Sequence, residues 1–319
     1  MSGLNFDVHL HVPVVLGNWI VLIVLGVVWG SSFILMKLGM YASDGSEVFA
    51  DHQVASLRIS IAGIALAPIA LRHWRKITSW KTFLLLSVVG FAGNFFPAFL
   101  FTYAETALSS GYAGMLNSFT PIFALILGFL IFKDRLTWIQ LVGVAIGTVG
   151  IVALTLSGGN LSNTGNVLHV GAIVLANLFY AISVTIIKHT LQGLRSFEIT
   201  ALSFFIILWP SLIITGFNGS FETLQSNPDA KTSLIYIGIL SLIGTAFAVF
   251  LFNILIARSS ILFASSVTYL IPITAVLIGL SFQEEINSMH VTSMMIILAG
   301  VFAANVIPKL KQRKSVATK

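Results

Sequence analysis

The chain of 319 residues contains no cysteine, which excludes disulfides, thiolate metal sites and a cysteine nucleophile. Charge is nearly as scarce. Asp, Glu, Lys and Arg together make up 9% of the residues, against about a quarter in soluble domains. HExxH, GxSG and phosphate-loop motifs are missing too, so neither a membrane-embedded enzyme nor an ATP-driven pump is expected. The 7 histidines have no partners at ligand spacing, and no metal, cofactor or catalytic residue is assigned. Residues 1–18 hold no Lys or Arg, and the apolar run after them lacks a small-residue cleavage site. A short cytoplasmic tail, residues 1–16, is therefore expected in place of a signal peptide.

What fills the chain is apolar: 57% of residues, with a mean hydropathy of +0.97. A water-soluble fold could not hide that much apolar surface, so lipid is the expected solvent for most of it. Charged residues outline the spans by their absence. None falls between Asp7 and Lys37, between Lys81 and Glu105, or between Glu105 and Lys133. The uncharged stretch from Leu136 to Ile187 is too long for one span of about 20 residues, and the polar SGGNLSNTGN at 157–166 divides it. The resulting expectation is an all-α polytopic membrane protein with ten transmembrane helices. They run over 17–40, 52–71, 82–103, 107–132, 137–156, 168–188, 197–217, 233–257, 261–282 and 289–308.

Orientation follows from the cations. Placing both termini in the cytoplasm gathers Arg72, Arg75, Lys76, Lys81, Lys133, Arg135, Lys188, Arg195, Arg258 and the five cations of the C-terminal tail on that side. The opposite loops carry Asp44, Glu47, Asp51, Glu222, Asp229, Glu284 and Glu285. The +6 formal charge thus reads as topology rather than nucleic-acid affinity, and no nucleic-acid partner is expected.

The chain also repeats itself. YAGMLNSFTPIFALILGFLIFKDRL at 112–136 aligns with FASSVTYLIPITAVLIGLSFQEEI at 263–286, with Pro121 on Pro272, an offset of 151. The same offset pairs Ala113 with Ala264, Asn117 with Thr268, Gly128 with Gly279, Asp134 with Glu285 and Gly93 with Gly244. Further upstream it pairs Lys37 with Lys188 and Trp29 with Tyr180. An odd number of spans precedes the second copy, which is therefore inverted. Two inverted five-helix halves are expected, 17–156 and 168–308, with an outer linker at 157–167 and a basic cytoplasmic tail at 309–319. Inverted repeats are a recurring build of secondary transporters, whose halves exchange conformations around a midplane site.

Several segments then carry a resemblance. WGSSFILMK at 29–37, SLRISIAG at 56–63, AGMLNSFTPIF at 113–123, DRL at 134–136 and QLVGVAIGTVGIV at 140–152 resemble EamA-type members of the drug/metabolite transporter superfamily. SSVTYLIPITAVLIG at 265–279, with Glu285, resembles the same pattern in the second half. The last span departs from it, with Met294 where the offset places Gly143. The resemblance implies export or exchange of small metabolites, such as amino acids and their relatives, across a bacterial inner membrane. A proton-coupled drug or nucleoside-type transporter, or a non-transport membrane protein, is the alternative.

Charges inside spans are costly and often mark a pathway. Arg58 reads either as an anion contact or as a side chain snorkelling to the interface. Lys37 reads as a charge or gating candidate or as a snorkelling side chain, and Glu105 is a candidate gate or an interfacial group. Trp29, Ser32, Asn94, Tyr103, Asn117, Asn177, Tyr180, Asn253, Thr268 and Tyr269 are candidates to line a cavity formed by the first, third, fourth, sixth, eighth and ninth spans. The competing reading for each is hydrogen bonding between helices. Pro121 and Pro272 are candidate helix breaks that free the carbonyl four residues upstream. The spacings Gly26/Gly30 and Gly143/Gly147 suit close helix packing, with homodimerisation through the fifth span as the lesser reading. The expected partners are thus a small-molecule substrate and the lipid bilayer.

Overall fold

Residues 11–134, 136–157, 164–258, 263–264 and 266–305 are described in a computed structural model of the protein. The termini, most of the 157–167 linker, and the side chain of Asn253 lie outside the described residues. Among those described, the chain is helical, and one isolated bridge between Tyr41 and Glu47 closes the 41–50 connection.

The helices are α1 (His11–Gly30), α2 (Ser32–Met40), α3 (Asp51–His73), α4 (Trp80–Gly90), α5 (Phe96–Glu105), α6 (Ser110–Asn117), α7 (Thr120–Phe132) and α8 (Trp138–Ser157). They continue as α9 (Thr164–Thr190), α10 (Ser196–Phe217), α11 (Ser220–Ser226), α12 (Ala230–Ser241), α13 (Ala248–Arg258), α14 (Val267–Ser281) and α15 (Ser288–Asn305). Joined where the backbone continues, they make 8 segments long and apolar enough to cross a membrane. Val267–Ser281 and Ser288–Ala304 are apolar but shorter. The short helix α11 was not expected from the sequence and caps the 218–229 connection.

One end of the bundle gathers the connections at 41–50, 106–109, 218–229 and 282–287, and the charge bias assigns it to the outside. The Gln53 amide donates to the Asn218 carbonyl there at 2.9 Å. The other end holds 74–79 and 133–134, where Lys188 meets Asp134.

Helix contacts rest on small residues, since lipid supplies no hydrophobic drive for apolar helices to associate. α3 packs on α10 through hydroxyls. Ser60 and Ser211 lie 3.0 Å apart, and the Ser211 hydroxyl donates to the Ser56 carbonyl at 2.7 Å. α8 packs on α15 through glycine. A Cβ on Gly143 would lie 2.5 Å from the Ala304 nitrogen and 2.7 Å from the Gly300 oxygen. The glycine face of α8 is therefore consumed within the chain, which removes the sequence ground for dimerisation through it. The Gly26/Gly30 face is likewise filled, by Leu270 and Thr274 of α14.

Two π-helical turns interrupt the third and eighth long segments, Phe91–Phe95 between α4 and α5 and Leu242–Phe247 between α12 and α13. Each contains the glycine that the repeat pairs, Gly93 or Gly244. The missing side chains admit Ser183 of α9 and Ser32 of α2, respectively. Such turns commonly mark functional places in helices.

Candidate functional site

Four charged side chains from four elements converge near the 41–50 end. Lys37 lies in the last turn of α2, Arg58 two turns into α3, Glu105 at the end of α5, and Glu284 just beyond α14. Lys37, Arg58 and Glu284 are the charged neighbours of Glu105.

Glu284 is the best-anchored member. Its Oε1 accepts from the Ser110 N–H at 2.7 Å and its Oε2 from the Gly111 N–H at 2.9 Å. Those are the first N–H groups of α6, which have no partner within the helix and carry the positive end of its dipole. Lys37 Nζ stands 3.6 Å from Glu284 Oε1. The acid reaches this place because Gln283 takes a left-handed conformation, φ 60, and the Glu284 N–H turns back to the Gly279 carbonyl at 2.9 Å. A Cβ on Gly279 would lie 2.5 Å from Glu284 Oε2, so a side chain there would push the carboxylate from its place.

Glu105 is 1% exposed, and neither carboxyl oxygen accepts a hydrogen bond among the described residues. Arg58 donates to the Met36 sulfur at 3.6 Å and has Tyr180 and Glu105 as electrostatic neighbours. Its surroundings on α5 and α9 direct it into the bundle, against the snorkelling reading. Lys37 is likewise engaged by a buried acid rather than turned to the interface.

The opposite end shows a second lysine–acid contact. Lys188 Nζ donates to Asp134 Oδ2 at 2.8 Å, and His189 Nε2 lies 3.2 Å from Oδ1. The Lys188 bond holds the Asp134 carboxyl below its usual range, with His189 adding to the effect. Lys133 takes φ 56, and the Asp134 N–H turns back to the Gly128 carbonyl at 3.1 Å. This is the same device as Gln283–Glu284. The backbone therefore matches Asp134 with Glu284, one residue from the Glu285 that the constant offset selects, because the stretch from the accepting glycine to the acid is one residue shorter after Gly279 than after Gly128.

The remaining candidates divide. Trp29 donates from its indole N–H to the Gly244 carbonyl at 3.1 Å and packs on Phe252, tying α1 to the π turn. Ser32 donates to the Val28 carbonyl. Asn94 sits partly exposed in the other π turn. Tyr103 is exposed and stacks on His169 at 4.5 Å; two residues before Glu105, it points away from the charge cluster. Tyr180 packs on Phe101 beside Arg58. Thr268 and Tyr269 lie in the first turn of α14, and Tyr269 meets the edge of Phe302. Asn253 belongs to α13, with its side chain outside the described residues.

Pro121 falls in the first turn of α7, just after the chain leaves helical hydrogen bonding at 118–119. Pro272, by contrast, lies inside α14, which runs through it. The break before Pro121 is held by Asn177, which is buried. Its amide donates to the Leu116 and Ile173 carbonyls at 3.2 and 2.9 Å, and its Oδ1 accepts from the Thr120 hydroxyl. Asn177 is thus a brace with its hydrogen bonds used, not a cavity lining. The Asn117 amide oxygen is buried and accepts no hydrogen bond among the described residues. Replacing Asn177 with leucine leaves the Leu116 carbonyl and Thr120 hydroxyl without this partner, at a cost of about 1–3 kcal/mol. A lower melting temperature in detergent, relative to the unchanged protein, is the expected result.

Sequence reasoning missed Glu284, Ser110, Gly111 and Thr120. The usable signal was that Lys37 and Lys188 are repeat mates, so that a buried acid for one implies an acid for the other.

The profile of the EamA-like transporter family matches residues 17–156 and again 168–306. The Escherichia coli K12 protein named "Uncharacterized inner membrane transporter YedA" is 29% identical over 83% of this chain and 82% of its own length. A "Probable terminal-alkyne amino-acid exporter" of Streptantibioticus cattleyicolor is 23% identical over 83% of this chain and 85% of its own. A solved crystal structure superposes with a TM-score of 0.57 at 13% identity, covering 91% of this chain and 98% of that one, a likeness of fold alone. With its apolar helices and a family profile matched twice, the chain belongs to the EamA-like transporter family, as a multi-pass transporter of the inner membrane.

Proposed function

We propose that this protein exports or exchanges small metabolites, amino acids and their relatives foremost, by alternating access between two inverted five-helix halves, 17–156 and 168–308. Ten spans with both termini in the cytoplasm complete the reading.

The observation that carries it is the pair of reciprocal locks. Lys37 and Lys188 are separated by the repeat offset of 151, and each meets an acid from the other half, at opposite ends of the bundle. The acids follow matching left-handed residues and bond back to glycines, Gly279 and Gly128, that the same offset pairs. The π turns begin at Phe91 and Leu242, again 151 apart, and so do Ser60 and Ser211, which touch each other.

The locks are unequal. Side-chain exposures are 29% and 8% for Lys37 and Glu284, but 65% and 36% for Lys188 and Asp134. The Glu284 end is the more enclosed one, although its lysine stands farther from the acid, 3.6 against 2.8 Å, and that burial supports a state closed outside and looser toward the cytoplasm. Alternation would exchange the two conditions. Neither lock needs a transmembrane proton gradient, so exchange down a solute gradient is the expected mode.

Counter-flow into proteoliposomes tests this reading. Preloaded unlabelled amino acid should drive uptake of the radiolabelled one at equal pH on both sides, and empty vesicles should not. A panel of amino acids, nucleosides and sugars that all fail to move would overturn it. Single cysteines at positions 44 and 285 should react with an impermeant reagent from outside, and those at 76 and 258 should not.

A further inference from the structure

We infer that Arg58 and Glu105 bind the two opposite charges of one small zwitterion, a carboxylate on Arg58 and a protonated amine on Glu105, as in a free α-amino acid. The inference rests on the transporter reading above and gives its site a charge rule.

Arg58 carries five N–H donors in a planar fork suited to carboxylate. Two turns into α3, it spends one of them on a thioether, a weak acceptor. An ionised guanidinium inside a span without an anion bonded to it is costly. Glu105 has the complementary deficit. Its carboxyl is almost wholly buried, and neither oxygen receives a donor among the described residues. A buried acceptor without a donor forfeits the hydrogen bonds it had in water.

The two groups are electrostatic neighbours, yet neither satisfies the other. One partner that accepts from Arg58 and donates to Glu105 relieves both. Charge balance selects among ligands. With both acids ionised, Lys37 and Arg58 offset Glu105 and Glu284, and Lys37 is already paired with Glu284. A lone anion would engage Arg58 but leave Glu105 uncompensated, and a lone cation would do the reverse. A zwitterion leaves the cluster neutral, which matters most where the dielectric is low. The Tyr180 hydroxyl beside Arg58 is a further polar group on the carboxylate side.

The pair also differs from the locks in having no counterpart. The repeat offset places Trp209 opposite Arg58 and Ile256 opposite Glu105. Lock residues must be duplicated so that each end can close. A contact with a single asymmetric solute has no such requirement.

The test uses the full-length protein in detergent and three probes of one shape: L-leucine, N-acetyl-L-leucine and L-leucine methyl ester, with L-alanine, L-threonine and L-phenylalanine as further free amino acids. At least one free amino acid should raise the melting temperature saturably and bind at least tenfold tighter than either singly charged form. In E105Q the preference for free over N-acetyl amino acid should fall to near unity, while R58Q should lose both and R58K should retain part. Tight binding of the methyl ester, no binding by any free amino acid, or an unchanged preference in E105Q would each overturn the inference. The unchanged protein's probe ranking stands even where a variant fails to fold. Counter-flow of an uncharged solute without amino-acid binding would defeat the zwitterion rule alone, whereas failure of all counter-flow would defeat the transporter reading.

Discussion

Glu284→Ala should open the Glu284 end of the bundle and speed labelling of a cysteine placed at Ser110 by at least about tenfold, as a shift of roughly 1.4 kcal/mol would. Two interactions disappear together. The Lys37 ammonium loses its partner at 3.6 Å, and the first N–H groups of α6 lose the carboxylate at 2.7 and 2.9 Å. Removing a capping side chain costs about 0.5–2 kcal/mol. Breaking a fully buried ion pair costs about 3–5 kcal/mol, and the partial exposure of Lys37 puts this case below that range. Against states separated by a few kcal/mol, such a loss redistributes the populations.

Ser110 is buried, and the chain has no native cysteine, so a single cysteine there reports on the gate cleanly. An impermeant maleimide applied from outside is the measurement. E284Q should fall between the two, because an amide oxygen still caps one N–H. K37M should open less than E284A, because the cap survives. Equal labelling rates across all four proteins would rule out the lock. G279A tests the same contact by another route, since its methyl would sit 2.5 Å from Glu284 Oε2.

Gly300→Val should prevent correct assembly, with loss of the monodisperse peak on size exclusion and of any cooperative melting transition. A Cβ there would lie 2.7 Å from both the Gly143 oxygen and the Gly147 Cα. These are backbone atoms of α8, which cannot swing aside as a long side chain can. Overpacking in a well-packed core costs about 1–3 kcal/mol, and separating α8 from α15 along their glycine seam exceeds that. Gly171→Val is the control, because nothing lies within 4 Å of a Cβ at Gly171. Comparable behaviour of G300V and G171V would show that the α8–α15 seam does not hold the fold.

The glycine seam also shows where sequence reading reaches its limit. Gly143 and Gly147 are legible as a packing face, but their partner is not. The offset places Met294 opposite Gly143, whereas the contact is made by Gly300 and Ala304. The spacing says that a helix can come close; it does not say which one. Asn177 illustrates the same point for polar groups. Its type and depth fit a cavity lining as well as a brace, and only the positions of Leu116 and Thr120 decide.

Solvent and span positions were determined by the sequence itself, because hydropathy and charge act over one helix length and need no partner. Each of the 8 long apolar helices begins and ends within about five residues of an expected span. The family was legible for the same reason, since its pattern lies along the chain. Tertiary structure alone decided which charges meet. Glu284 reads as an exposed loop acid until Ser110, 174 residues earlier, is brought to it. The one-residue slip that pairs Asp134 with Glu284 depends on where each chain turns left-handed after its helix. In lipid, apolar periodicity does not choose helix partners. Small-residue fit and buried hydrogen bonds do, and those are properties of two segments together, never of one.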